Sequence, residues 1–231
     1  MATVPDELAD VDLVHADDAT PLEVLPKAFG GERPFPAPTV HQQPYRFSVE
    51  QYEAMTSAGV LGQSDRVELI YGVVVEKMTK GSEHQAIANE LVDQLSEIRF
   101  STKAPLHVSQ ENPVRIVSRR SEPEPDISVV RGAPLDYRGQ VPSGTDLLLA
   151  IEVADSSVEK DLARAPLYAA AGIPAYLLVD VTARTLTLYT QLTDNEYASA
   201  EQVDAVPVVL DGEVLGTVTA AEIFPAEPDG K

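Results

Sequence analysis

Three carboxylates stand in this chain where an ionised acid is expensive. Glu152 interrupts the apolar run Leu147-Leu148-Leu149-Ala150-Ile151-Glu152-Val153, and a charge inside such a strand costs several kcal/mol unless a cation or hydrogen bonds compensate it. Asp126 follows Pro125, which fixes the entry to the apolar run from Ile127 to Val130 and donates no hydrogen bond of its own. Glu68 lies among Val67, Leu69 and Ile70. If the strands carrying Asp126 and Glu152 are neighbours, about 4.8 Å apart, both carboxylates reach one cation. The chain has no cysteine, so a metal would rest on oxygen or imidazole. Mg²⁺, which takes oxygens at about 2.0 to 2.1 Å, is the natural candidate. Each acid also has an ordinary reading: Asp126 ending a loop, Glu152 paired to an arginine, Glu68 facing water from a hairpin. A dinucleotide oxidoreductase, an NTPase and a serine hydrolase lose most of their footing, because the sequence contains no Gly-x-Gly-x-x-Gly, no phosphate-loop Gly-Lys-Ser/Thr, no Gly-x-Ser-x-Gly and no His-Glu-x-x-His.

The elements that must position these acids can be read from spacing. Ser48 with Gln51 three residues on forms a capping box for a helix whose apolar side is Tyr52, Met55 and Val60 and which Gly59 and Gly62 end. Arg66 to Met78 reads as two β-rich runs around a Tyr71-Gly72 turn. Ile87, Leu91, Leu95 and Ile98 make His84 to Arg99 an amphipathic helix. Strands are expected at Val114 to Val117, Ile127 to Val130 and Leu147 to Val153, the last apolar on both faces as in a sheet centre. A short helix stopped at Gly172-Ile173-Pro174 and the strand Tyr176 to Asp180 complete a strand-helix-strand unit. Thr185 to Tyr189 would form a hairpin with it, followed by a strand at Val206 to Leu210 and a helical piece at Ala220 to Phe224. The expectation is one α/β domain over residues 44–224, with a mixed central sheet flanked by helices.

Residues 1–43 carry eight acids, two bases and six prolines, a composition that predicts a disordered acidic arm, and residues 225–231 read as a flexible tail. The opening residues are acidic where a signal peptide would be basic, and the longest apolar runs are too short to span a bilayer, so a cytoplasmic location is expected. The whole chain of 231 residues has a formal net charge of −20, and the arm supplies only −6 of it. Such acidity argues against a coat protein for nucleic acid or a basic membrane-surface module, since neutralising phosphates takes clustered Lys and Arg. Arg115, Arg119, Arg120, Arg131 and Arg138 nevertheless cluster in sequence around Asp126.

Five blocks in order carry a resemblance. These are Arg66-Val-Glu-Leu-Ile-Tyr-Gly72, Ser82-Glu-His84, Glu124-Pro-Asp126-Ile-Ser-Val-Val130, Ala150-Ile-Glu-Val-Ala-Asp-Ser-Ser157 and the segment from Ala165 to Asp180. Together they resemble the Uma-two family of restriction endonucleases in the PD-(D/E)xK nuclease superfamily, over about residues 45 to 224. The resemblance implies a restriction-endonuclease-like core and Mg²⁺-dependent or Mn²⁺-dependent hydrolysis of DNA phosphodiester bonds. It also implies Asp126 and Glu152 as metal-binding acids, Glu68 as a further acid of the site, and His84 as a helix-start histidine beside it, with a homodimer as the expected assembly for cutting two strands. The superfamily's lysine, two positions after the second acid, is absent, because Val153 and Ala154 follow Glu152. In the resembling branch that lysine stands on the next helix, where this chain has Arg164, or Ala165 in an ungapped alignment, with Lys160 nearby. An arginine can stabilise an anionic transition state but cannot deprotonate water. The missing lysine and the acidic surface keep open a nuclease fold retained as a binding or regulatory module, whereas an acidic DNA mimic fits less well, because the acids form no phosphate-like row and the key ones lie on a buried sheet.

Overall fold

The computed structural model describes residues 44–155 and 163–225. The expected arm, most of the tail and Lys160 lie outside them. Ser48 caps helix α1 (Val49–Ser57) through the reciprocal bonds with Gln51. A hairpin of β1 (Val67–Ile70) and β2 (Val73–Glu76) follows. Its two-residue turn has Tyr71 at φ 48° and Gly72 at φ 77°, the left-handed pair that matches the twist of two adjacent strands. Helix α2 (Ser82–Thr102) comes next, longer at both ends than its apolar spacing predicts.

Six strands form the central sheet in the order β3-β4-β5-β6-β7-β8. They are β3 (Leu106–Gln110), β4 (Ile127–Arg131), β5 (Leu147–Ala154), β6 (Tyr176–Asp180), β7 (Thr185–Thr193) and β8 (Glu196–Val203). Neighbours run antiparallel except β5 and β6, the parallel pair joined through helix α3 (Ala165–Ala170). All eight residues of β5 are buried, as expected of a strand covered on both faces. On one face Ile87, Leu91 and Leu95 of α2 meet Ile127, Ile151, Leu177 and Val179, together with a hairpin of β9 (Ala205–Leu210) and β10 (Glu213–Thr219). Helix α4 (Ala220–Ile223) closes that side. On the other face Val114, Ile116, Leu167, Tyr168 and Tyr176 pack together. Each fully buried Leu or Ile contributes roughly 1.5 to 3 kcal/mol of hydrophobic free energy, so two-sided burial is what holds β5 at the centre.

One expected strand is not there. Val114 to Val117 forms isolated bridges, Arg115 to Ser143 and Ile116 to Ser121, and then a 3₁₀ turn at Val117–Arg119. The amide N–H groups of Val114, Arg115 and Ile116 go to three different carbonyls, those of Pro123, Pro142 and Ser121. A proline on the facing segment has no N–H to return, so no ladder can propagate.

Candidate active site

Proline fixes where the first acid stands. After Pro125 the chain enters β4, whose Ile127 lies opposite Ile151 of β5. Asp126 Oδ2 accepts the backbone N–H of Val153 at 2.7 Å, which ties the start of β4 to the residue after Glu152. The same oxygen accepts from His84 Nε2 at 3.0 Å, and Oδ1 pairs with the ammonium of Lys80. Burial alone would push this carboxyl up, but the His84 hydrogen bond and the Lys80 charge outweigh it and hold Asp126 below the usual carboxylate range.

Glu152 points to the α3 side of the sheet, where the Tyr168 hydroxyl donates to its Oε1 at 2.5 Å and Arg164 Nε stands 3.9 Å away. Arg164 immediately precedes α3, and Tyr168 lies four residues on, the spacing that sets two side chains on one helix face. The guanidinium also pairs with Glu68, so one cation stands between two buried acids. Burial would weaken the Arg164 charge, yet Glu68 and Glu152 together keep its pKa well above the ordinary arginine value. Burial and the Glu152 charge likewise push the Tyr168 phenol far above its ordinary value, so it acts as a fixed donor. Glu68 does not face water. Leu69 bridges to Glu122, with the Glu122 N–H donating to the Leu69 carbonyl at 2.7 Å, and this staple swings the hairpin against the approach to β4. Glu68 is 1% exposed there and accepts the Glu124 N–H at 3.3 Å.

Glu68, His84, Asp126, Glu152 and Arg164 thus line one pocket of about 130 Å³, built by the ends of β1, β4 and β5 and the starts of α2 and α3. Two neighbours went unread in the sequence. Lys80 comes from the connection between β2 and α2 and bridges Asp126 and Glu111, the latter at 2.9 Å. Tyr168 is the buried donor to Glu152. The available signals were a lysine four residues before His84, and a tyrosine one helical turn after Arg164. Gly81 lets this connection lie close: a Cβ there would stand 2.9 Å from Asp155 Oδ2. Lys77 pairs with Glu124 on the same wall.

The donor set suits a hard divalent cation in type and charge. Among the described residues the lining holds six carboxylates, Glu68, Glu111, Glu124, Asp126, Glu152 and Asp155, against the cations Arg66, Lys77, Lys80 and Arg164. Counting these carboxylates and cations alone leaves a formal net −2. No three acidic or imidazole side chains among the described residues are grouped as a ready-made metal cage. Lys80 is paired with Asp126, and Arg164 with Glu68 and Glu152.

The chain matches, over residues 49–221, the model of the Uma2 family, described as "Putative restriction endonuclease". No curated protein matches the chain. Among solved structures it is similar to "a putative nuclease belonging to DUF820 from Anabaena variabilis ATCC 29413", at a TM-score of 0.59 and 15% identity over 77% of this chain and 97% of that one. That likeness establishes a shared fold, the mixed α/β sheet expected from the sequence. No helix among the described residues is long and apolar enough to cross a membrane. With three quarters of its length matched by the family model, the chain belongs to the Uma2 family.

Proposed function

We propose that this chain is a divalent-metal-dependent endonuclease that hydrolyses phosphodiester bonds of DNA. The observation that carries the reading is the convergence of Glu68, Asp126 and Glu152, each at most 5% exposed, with Arg164 and His84 on one pocket. Asp126 and Glu152 are the residues that would hold Mg²⁺ or Mn²⁺. Such an ion, when bound, supplies Lewis acidity toward a phosphate oxygen and lowers the pKa of a coordinated water.

The chain's own groups divide the remaining work. Arg164 is locked by Glu68 and Glu152, while its Nη1 has no hydrogen-bond partner among the described residues. A fixed, charged donor suits the equatorial oxygens of a phosphate as negative charge builds there. It stays protonated throughout, so it stabilises charge and takes no proton. His84 donates through Nε2 to Asp126 and leaves Nδ1 without a partner among the described residues. This arrangement lets the imidazole orient Asp126 and carry a proton at Nδ1. Tyr168 holds Glu152 in one rotamer from below the sheet. Cleavage of DNA that requires Mg²⁺ or Mn²⁺, stops with EDTA and is lost in Asp126→Ala and Glu152→Ala is the expected result. Cleavage that persists in both variants would refute the assignment.

A second reading, a nuclease fold kept as a binding module, is favoured by one observation: Lys80 and Arg164 already neutralise the acids internally. Titration calorimetry with Mn²⁺ separates the two. The enzyme reading requires saturable binding that depends on Glu152, and the module reading requires none.

A further inference from the structure

The position that a cation would take on Asp126 is held by a side chain of the chain itself. Lys80 pairs with Asp126 Oδ1 on its inner side and with Glu111 Oε1, at 2.9 Å, on its outer side. The two anchors differ in burial: the Asp126 side chain is 7% exposed and the Glu111 side chain 52%. Lys80 therefore sits on a threshold between the floor of the pocket and its mouth. The other partners of Asp126, His84 Nε2 and the Val153 N–H, both bind Oδ2. Oδ1 is thus the oxygen whose engagement a cation would contest, and two cations cannot share one carboxylate oxygen without strong repulsion at this depth.

We propose that Lys80 is a built-in counter-ion that a divalent cation must displace from Asp126, and that Glu111 retains the released ammonium at the pocket mouth. Metal arrival and presentation of a lysine to a phosphate ligand then become one event. The lysine that the family pattern puts elsewhere is supplied, in this chain, from the connection between β2 and α2. The inference rests on the proposed metal site and specifies how that site is kept charge-balanced.

The test is Mn²⁺ binding by titration calorimetry to the full chain and to four variants, with no turnover involved. Lys80→Met should bind Mn²⁺ about tenfold tighter than the wild type, the effect of removing one competing charge at ion-pair distance. Lys80→Arg, which keeps the charge, should bind as the wild type does. Lys77→Met removes an equal charge from the same pocket but from Glu124 rather than Asp126. Its affinity should change by less than about threefold, as for a partly exposed pair. Asp126→Asn should abolish binding. If Lys80→Met is poorly folded, Lys80→Gln serves in its place, and the gain in Tm given by saturating Mn²⁺ is the second readout, larger in the variant than in the wild type. Binding that is lost in Asp126→Asn but unchanged or weaker in both Lys80 neutral variants overturns the counter-ion role and leaves the metal site standing. Absence of Mn²⁺ binding in every protein, the Lys80 variants included, overturns the metal site and the counter-ion role together.

Discussion

Arg164 stands between Glu68 and Glu152 with a side chain only 10% exposed. Its removal takes away the guanidinium that stands between the buried carboxylates of Glu68 and Glu152. Arg164→Ala should therefore lower the unfolding free energy by roughly 3 to 5 kcal/mol in urea titration, and a loss below about 1 kcal/mol would mean that the acids find other compensation. Away from the pocket, Glu122 is 7% exposed beneath α1, and burial, followed by the charge of Glu53, pushes its carboxyl up to about 7. A carboxyl raised in the folded state binds its proton more tightly there than in the unfolded chain. Its stabilising contribution is complete below about pH 4.5 and is lost as pH rises through about 7. Thermal melts should show Tm falling over that window, and Glu122→Gln, which cannot ionise, should flatten the slope. An unchanged slope in the variant would assign the titration to another group. At this scale the sequence was informative about Asp126, Glu152 and Glu68, because an acid inside an apolar run demands compensation. For Lys80 and Tyr168 it held only spacing, four residues before His84 and four after Arg164, which says where the two side chains stand and not which acid each one binds.

The elements differ in how plainly their residues announced them. Helix α2 and strands β4, β5 and β6 are read from apolar spacing because they fill the core. Strand β3 has only Leu106 and Val108 as apolar residues. Strand β8 is an edge strand with no buried position. Such strands are defined by the ladder they join and not by their own hydrophobic pattern, so residue periodicity cannot reveal them. The reverse error, a strand at Val114 to Val117, comes from the same source: the apolar residues are buried, but the prolines opposite supply no donors. The hairpin that carries Glu68 turns through Gly72, at φ 77°, where an added Cβ would lie 2.7 Å from Arg46 Cβ. Gly72→Ala combines left-handed strain with that overlap, and we expect a loss of about 1 to 3 kcal/mol. Since the hairpin also sets Glu68 beside Arg164, the variant should lose the proposed nuclease activity in step with stability. Full stability with the turn substituted would show that the backbone there relaxes freely.

Across the whole molecule, a charge of −20 and the proposed DNA substrate pull in opposite directions. The pocket keeps a negative balance while Arg66, Lys77, Lys80 and Arg164 are gathered around its acids. On the proposed function a divalent ion would have two tasks, chemistry and the cancelling of local repulsion toward phosphate. Steep dependence of DNA binding on Mg²⁺ concentration follows, and binding that is strong in EDTA would oppose it. The family and the α/β architecture were both legible in five short motifs, because those motifs are the segments the core and pocket hold in place. The most direct measurement is conversion of supercoiled plasmid DNA by the full chain in Mg²⁺ or Mn²⁺, beside Asp126→Asn and Glu152→Gln proteins whose folding is verified by their melts. The account predicts nicked and linear products with the wild type and none with either variant or with EDTA. Equal cleavage by wild type and variants, or none by the wild type under any divalent ion, would contradict it.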